Sequence, residues 1–163
     1  MVLYHCSEIS GLKILMPYSH NTVDGESVVF ATTDPLFALA MAYGSGDVLA
    51  ACYFYNKKTG KKEFYLDELE KNSLNLLKNS ASLYLIEERN FLHDKRLKEE
   101  ELISRKEVKI IKEIRVGNVL EELKKRGAKI IPYDKVLESL RKRGKDSKRP
   151  SNKYKPDRFK RNN

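Results

Sequence analysis

The positive charge of this chain is collected at one end, and that limits where a core can form. Of its 32 Lys/Arg and 23 Asp/Glu, 11 and 2 fall in residues 141–163, which leaves 21 of each in the first 140. A segment so rich in cations and so poor in apolar side chains cannot bury enough surface to offset the entropy of ordering it. Any hydrophobic core must therefore come from residues 1–140. The expected organisation is one neutral globular domain over 1–140 and a basic, disordered tail over 141–163. The eleven cations of that tail are Arg141, Lys142, Arg143, Lys145, Lys148, Arg149, Lys153, Lys155, Arg158, Lys160 and Arg161. They could neutralise several phosphates, so RNA or DNA is the expected partner of the tail, bound with strong salt dependence and little sequence preference.

Other classes are excluded by what the chain lacks. Cys6 and Cys52 are too few for a disulfide framework and have no zinc-ligand spacing, so no metal is expected and a reducing, cytoplasmic setting is. No apolar run approaches the roughly 20 residues needed to span a bilayer.

Along the first 140 residues, short apolar strands alternate with amphipathic segments, which predicts an α+β domain. Val2 to His5 reads as a strand, and so does Val28 to Ala31. Asp34-Pro35 then places a capping carboxylate before a proline at the first helical position, and the apolar run from Leu36 to Ala42 predicts a buried helix ended by Gly44. Val48 to Tyr55 is a further strand. Leu66, Leu69, Leu74 and Leu77 recur at helical spacing and predict a helix over 67–78. Strands follow at Leu83 to Ile86, Val108 to Val116 and Ala128 to Tyr133, with helices at Asn118 to Arg126 and Asp134 to Arg143.

Two segments carry candidate chemistry. The first is Leu3-Tyr4-His5-Cys6-Ser7, a strand presenting a histidine and two small residues. The second is Val28 to Tyr43, a strand that enters a buried helix through Ala31-Thr32-Thr33-Asp34. Together they resemble the nicotinamide-binding half of the ADP-ribosyltransferase superfamily, whose first motif is His-Gly-Ser or His-Gly-Thr after an apolar strand. A divergent bacterial-type member would have a split mixed or antiparallel sheet with flanking helices, and would use NAD as substrate. Glu101-Leu102-Ile103-Ser104 looks like the superfamily's third element, a glutamate opening a late strand.

On this resemblance His5 positions a ribose hydroxyl. Glu101 stabilises the positive charge that builds on the ribose as the nicotinamide bond breaks. Cys6, Ser7, Phe30, Ala31 and Tyr43 would hold the cofactor, with Cys6 where the motif has glycine and Val29 where it has a stacking aromatic. The implied function is transfer of ADP-ribose from NAD to a macromolecular acceptor, a nucleic acid held by the tail among the candidates. Read without the resemblance, His5 is a core histidine, Cys6 a small buried residue and Glu99 to Glu101 a solvated acidic run. The chain is then a non-catalytic RNA- or DNA-associated protein that works through its tail.

Overall fold

The computed structural model describes residues 2–20, 25–95, 97 and 99–146. It contains ten strands: β1 (Val2–Ser7), β2 (Ile14–Leu15), β3 (Ser19–His20), β4 (Ser27–Ala31), β5 (Leu49–Asn56), β6 (Lys61–Glu68), β7 (Ala81–Glu87), β8 (Leu102–Ser104), β9 (Val108–Val116) and β10 (Lys129–Ile131). Three α-helices accompany them: α1 (Pro35–Ala40), α2 (Val119–Lys125) and α3 (Val136–Asp146). The strands form an antiparallel sheet ordered β1-β7-β9-β2, a mixed sheet ordered β10-β6-β5 and an antiparallel sheet ordered β3-β4-β8. The α+β class read from the sequence is therefore the class observed.

Strand alternation divides the interior into two cores. One face of the first sheet sends Tyr4, Cys6, Leu83, Ile114 and Val116 into a core shared with α1, α2 and the inner side of the β5–β6 hairpin. The opposite face sends Leu3, Tyr84 and Ile86 into a second core with Val29 and Ala31 of β4. Leu3, Leu39, Leu66 and Leu123 are fully buried, each contributing about 1.5–3 kcal/mol relative to exposure. The Tyr84 hydroxyl lies inside the second core, donating to the Ile9 carbonyl at 2.7 Å and accepting from the Leu12 amide at 3.2 Å. That pair of bonds ties the segment after β1 across the sheet face.

Helix α1 begins as its sequence dictates. The Asp34 carboxylate accepts from the Leu36 amide at 2.9 Å, and Pro35 needs no partner for an amide it lacks. Its end differs from expectation. A 3-10 turn over Ala42–Asp47 follows, and Tyr43 rather than a glycine takes the positive φ of 63°. The Tyr43 hydroxyl, donating to the Ser80 carbonyl, anchors that turn.

The helix expected over 67–78 is not there. β6 continues through Glu68, Asn72 turns the chain at φ 70°, and only Ser73–Lys78 is helical, as a 3-10 segment. Leu66 and Leu77 do share the first core, but a strand and a short turn deliver them, not one helix face. The hairpin that sets β6 is fixed by Asn56, whose side chain accepts from the Lys58 and Thr59 amides, and by Gly60 at φ 66°.

At the other end, α3 runs to Asp146. The boundary expected at residue 141 is thus corrected: Arg141, Lys142, Arg143 and Lys145 belong to a helix. Among the described residues, no helix is long and apolar enough to cross a membrane.

Candidate functional site

The first and third sheets meet at a single rung. Tyr4 and Thr32 exchange both backbone bonds, at 2.8 and 3.0 Å, as an antiparallel bridge between β1 and the end of β4. In antiparallel pairing the next bonded rung lies two residues along each strand, and here it would join Cys6 to Phe30. It does not form. Among the described residues the backbone bonding between β1 and β4 stops at Tyr4 and Thr32. The Phe30 carbonyl instead accepts from Nδ1 of His5 at 2.8 Å.

Two consequences follow. A carbonyl can only accept, so Nδ1 carries the proton and Nε2 of a neutral ring keeps its lone pair. Burial lowers the His5 pKa below its ordinary value, only partly offset by the Phe30 carbonyl, which favours that neutral form. Successive residues of a strand direct their backbone groups to opposite edges, so residues two apart share an edge. Since those of Tyr4 turn toward β4, the N–H and C=O of Cys6 face the gap where the strands diverge.

β8 completes the arrangement. It pairs with the other edge of β4, with Ala31 opposite Leu102 and Phe30 opposite Ile103. Glu101, half-buried, is the residue immediately before that pairing. The three segments singled out in the sequence, separated by about 25 and 70 residues, are thereby placed on neighbouring strands: β1, β4, β8.

The individual side chains are distributed unequally around this gap. His5 shares the face of Leu3 and Ser7, opposite Tyr84 of β7. Cys6 lies on the other face beside Tyr43, and both pack against the first core. Burial pushes the Cys6 thiol up to about 12, so it is not a thiolate nucleophile near neutrality. Partial burial, and after it the neighbouring Cys6 and Glu8, raise the Tyr43 hydroxyl. The Ser7 hydroxyl accepts from the Ile9 amide at 3.1 Å and shapes the turn after β1. Ala31, expected to hold a cofactor, points its methyl into the second core, and its side chain offers nothing to a ligand. Val29 does the same at 2% exposure, whereas the Phe30 ring alternates to the opposite face, half-buried.

No protein-family model matches this chain, and neither curated proteins nor solved structures gave a match to it. The functional reading rests on the chain's own geometry.

Of the expected nucleic-acid contacts, Arg141 and Lys142 are exposed on α3, and Lys145 lies in the same helix. Lys148, Arg149, Lys153, Lys155, Arg158, Lys160 and Arg161 lie outside the described residues. Arg143 is a correction. It is 5% exposed, donates to both carboxylate oxygens of Asp67 at 2.8 Å, and stacks its guanidinium over Phe54 and Tyr65, 4.5 and 4.4 Å from the ring centroids. A guanidinium held bidentately between two rings is not available to a phosphate. Sequence reasoning missed this because Arg143 stands in a run of cations that reads as solvated. The signal that could have found it is the spacing of Val136, Ser139 and Arg143, which share one face of a helix.

Concavities of about 450 Å³ and about 380 Å³ lie elsewhere, the first against Gly117 to Lys125 and the second between the Leu92 to Lys95 loop and Arg105. No group of three or more His, Cys, Asp or Glu side chains able to hold a metal occurs among the described residues.

Proposed function

We propose that the gap between β1 and β4 binds the nicotinamide end of NAD and that the chain is an ADP-ribosyltransferase-like protein. The observation that carries the reading is the interrupted rung at Cys6. Its N–H and C=O form a donor and acceptor side by side, and a primary carboxamide presents the matching acceptor and donor. A strand edge satisfies that amide without any special side chain, which is why cysteine can stand where the motif has glycine. The neutral His5 ring, its Nδ1–H fixed on Phe30, leaves Nε2 to accept from a ribose hydroxyl.

In the reaction, the bond between the ribose carbon and the nicotinamide nitrogen breaks, and its electron pair leaves with nicotinamide. A nucleophile of the acceptor forms the new bond to that carbon, and its proton is released to solvent water. Positive charge on the ribose peaks between the two events, and the Glu101 carboxylate, at the start of the strand paired with β4, is assigned to stabilise it. The acceptor is a macromolecule, with a nucleic acid reaching the site by way of the cations of α3 and beyond as one candidate.

Ligand discrimination tests the reading. Nicotinamide and NAD should raise the unfolding midpoint, by an amount that grows with the logarithm of their concentration above Kd, while nicotinic acid, which has no amide N–H for the Cys6 carbonyl, should not. Glu101→Gln keeps the shape and removes the charge, so NAD binding should persist and turnover should fall by about 10²-fold or more. Equal responses to nicotinamide and nicotinic acid would remove the carboxamide site. A response to short RNA alone would leave the non-catalytic nucleic-acid protein as the better reading.

A further inference from the structure

We propose that the turn of the β5–β6 hairpin binds single-stranded nucleic acid, with Tyr55 as the surface on which a base stacks and Lys57, Lys58 and Lys61 as partners of the phosphates. The proposal stands apart from the reading of the gap, since it needs neither NAD nor Glu101. Burial falls steadily along one face of the hairpin. Leu49 and Ala51 of β5, with Leu66 and Phe64 of β6, lie in the first core, Tyr53 is half-buried and Tyr55 is 49% exposed. The last rungs therefore project beyond the core, and all three lysines at the turn are exposed.

The turn is fixed before any ligand arrives. The Asn56 side chain accepts from the Lys58 and Thr59 amides, the Gly60 amide donates to the Asn56 carbonyl at 2.8 Å, and Gly60 takes a φ of 66°. A Cβ at Gly60 would meet the Tyr55 hydroxyl at 3.7 Å, so the ring leans along the turn instead of swinging free. A base that stacks on it has little left to order. The cations are equally uncommitted. No Asp or Glu occurs between Val48 and Lys62, and among the described residues no carboxylate pairs with Lys57, Lys58 or Lys61. Glu63, next in the chain, is held by Lys129 at 2.6 Å and by Tyr65 and Asn56. Toward the core, Asp34 accepts the Tyr53 hydroxyl, whose pKa is raised by burial first and then by Asp34 and Glu100. Those two carboxylates lie at Tyr53, two residues nearer the core than Tyr55. The Lys62 ammonium, 4.6 Å from the centre of the Tyr53 ring, offsets them.

The direction of α3 adds to the case. Its leading turn starts beside Glu68, whose carboxylate accepts from the Tyr133 amide, and by Arg143 the helix has reached Phe54 and Tyr65. It therefore runs toward the hairpin turn. The chain leaves the described residues at that end, after Asp146, ahead of seven Lys/Arg and one Asp. A basic segment remote in sequence thus begins at the same end of the second sheet as the hairpin lysines. The chemistry of the turn then selects the occupant. An acidic peptide offers carboxylates but no regular planar partner for Tyr55. A phosphatidylserine surface calls for apolar side chains that insert, and between Tyr55 and Lys62 the turn exposes none besides Tyr55 itself. Bases in a duplex are already stacked on one another, which leaves only phosphates to the hairpin. A single strand offers a base face beside a phosphate at every nucleotide.

The test reads the anisotropy of fluorescein-labelled oligo-U and oligo-dT of about 12 nucleotides with the full chain, at salt between about 50 and 200 mM. Lys57→Gln/Lys58→Gln/Lys61→Gln should reduce the slope of log affinity against log salt by about 2, from about 0.7 for each phosphate neutralised on a single strand. Tyr55→Leu should keep the slope of the parent and weaken binding by at least about fivefold, the lower end of what one stacked base contributes. On a dA·dT duplex of the same length Tyr55→Leu should bind like the parent. Unfolding midpoints are measured alongside, and the lysine variant, which alters only exposed ammonium groups, keeps the test decisive if Tyr55→Leu unsettles the hairpin. Preference for oligo-U or for oligo-dT supports the proposal equally and identifies RNA or DNA as the source. Variants that bind both strands as the parent does overturn it, because the residues after Asp146 would then account for all of the affinity. So does an equal loss on strand and duplex in Tyr55→Leu, or hairpin-dependent uptake onto phosphatidylserine vesicles with none on the strands.

Discussion

At the α3 clamp, the polar groups on the outer face of the second sheet are saturated. Arg143 gives two bonds to Asp67, its Nε reaches the Ser139 carbonyl, and Nη1 lies 3.7 Å from the Cys52 thiol. At the gap between β1 and β4, a sheet stops one rung after it starts, and main-chain groups of Cys6 face the opening. The two regions show different uses of polarity. A saturated cluster fixes the position of an element and has no capacity left for a ligand, while an interrupted ladder keeps donors and acceptors for a molecule that supplies their partners. Charge density alone would have ranked them the other way round, since the clamp holds the arginine and the gap holds only a neutral imidazole.

The comparison breaks first if the clamp is not structural. Asp67→Ala and Arg143→Met, each leaving its partner charged and buried, should lower the unfolding free energy by about 3–5 kcal/mol in urea titrations. The double variant Asp67→Leu/Arg143→Met should recover much of that loss, because no charge is then left uncompensated. Truncation sharpens the point: a chain ending at Asp146 retains Arg143, one ending at Leu140 does not, and only the second should show the loss. Single variants that cost less than about 1 kcal/mol would mean that α3 is held by something other than this pair.

A smaller effect is expected at the wall of the gap. Asp34 caps α1 and also accepts the Tyr53 hydroxyl, so Asp34→Ala should cost about 1–2 kcal/mol, more than a cap alone usually contributes. The variant Tyr53→Phe separates the two roles, since it removes the hydroxyl and leaves the cap. If Asp34→Ala and Tyr53→Phe have equal cost, the cap contributes nothing and the start of α1 is set by Pro35 and packing.

The legible parts of this molecule are those in which side-chain type and backbone conformation agree. Val28-Val29-Phe30-Ala31, Asp34-Pro35 and Asn118, whose side chain accepts from the Glu121 amide, form the elements that their residues favour. β6 was not legible, because Leu66, Leu69, Leu74 and Leu77 repeat at a helical period while Asn56, Gly60 and the pairing with β5 impose a hairpin. Strand partners outweigh local spacing there. In the candidate site, the segments containing His5, Val28 to Ala31 and Glu101 could be singled out by residue type. Ala31 facing a core and Cys6 facing a gap could not, because both depend on where the Tyr4–Thr32 rung falls, and no side chain encodes that rung. Arg143 was hidden for the opposite reason, by the cations around it: it stands beside Arg141 and Lys142, which are exposed, yet it is buried.

The smallest effect concerns His5, and it probes the gap without any ligand. Burial lowers the folded-state pKa of His5 below the 6.5 of a free histidine. Between the folded value and 6.5 the unfolded chain binds more protons than the native one, so stability rises with pH through that interval. The contribution is therefore present above about 6.5 and is lost as the pH falls below it. Asp67 and Glu113 also titrate in acid, with pKa values shifted in opposite directions, Asp67 raised chiefly by burial and Glu113 lowered chiefly by the Ser82 hydroxyl. A difference measurement isolates the histidine. His5→Asn has an amide N–H where Nδ1–H stood and has nothing to titrate, so the Phe30 bond can persist while the proton linkage cannot. The unfolding free energy of the parent minus that of His5→Asn should decrease as the pH is taken from 7.5 to 5.5. A flat difference would mean that the imidazole is solvated at the gap and that its ring is not held neutral. An increase on acidification would place a carboxylate close enough to Nε2 to favour the imidazolium, and the ribose hydroxyl would then meet a donor where the proposed chemistry needs an acceptor.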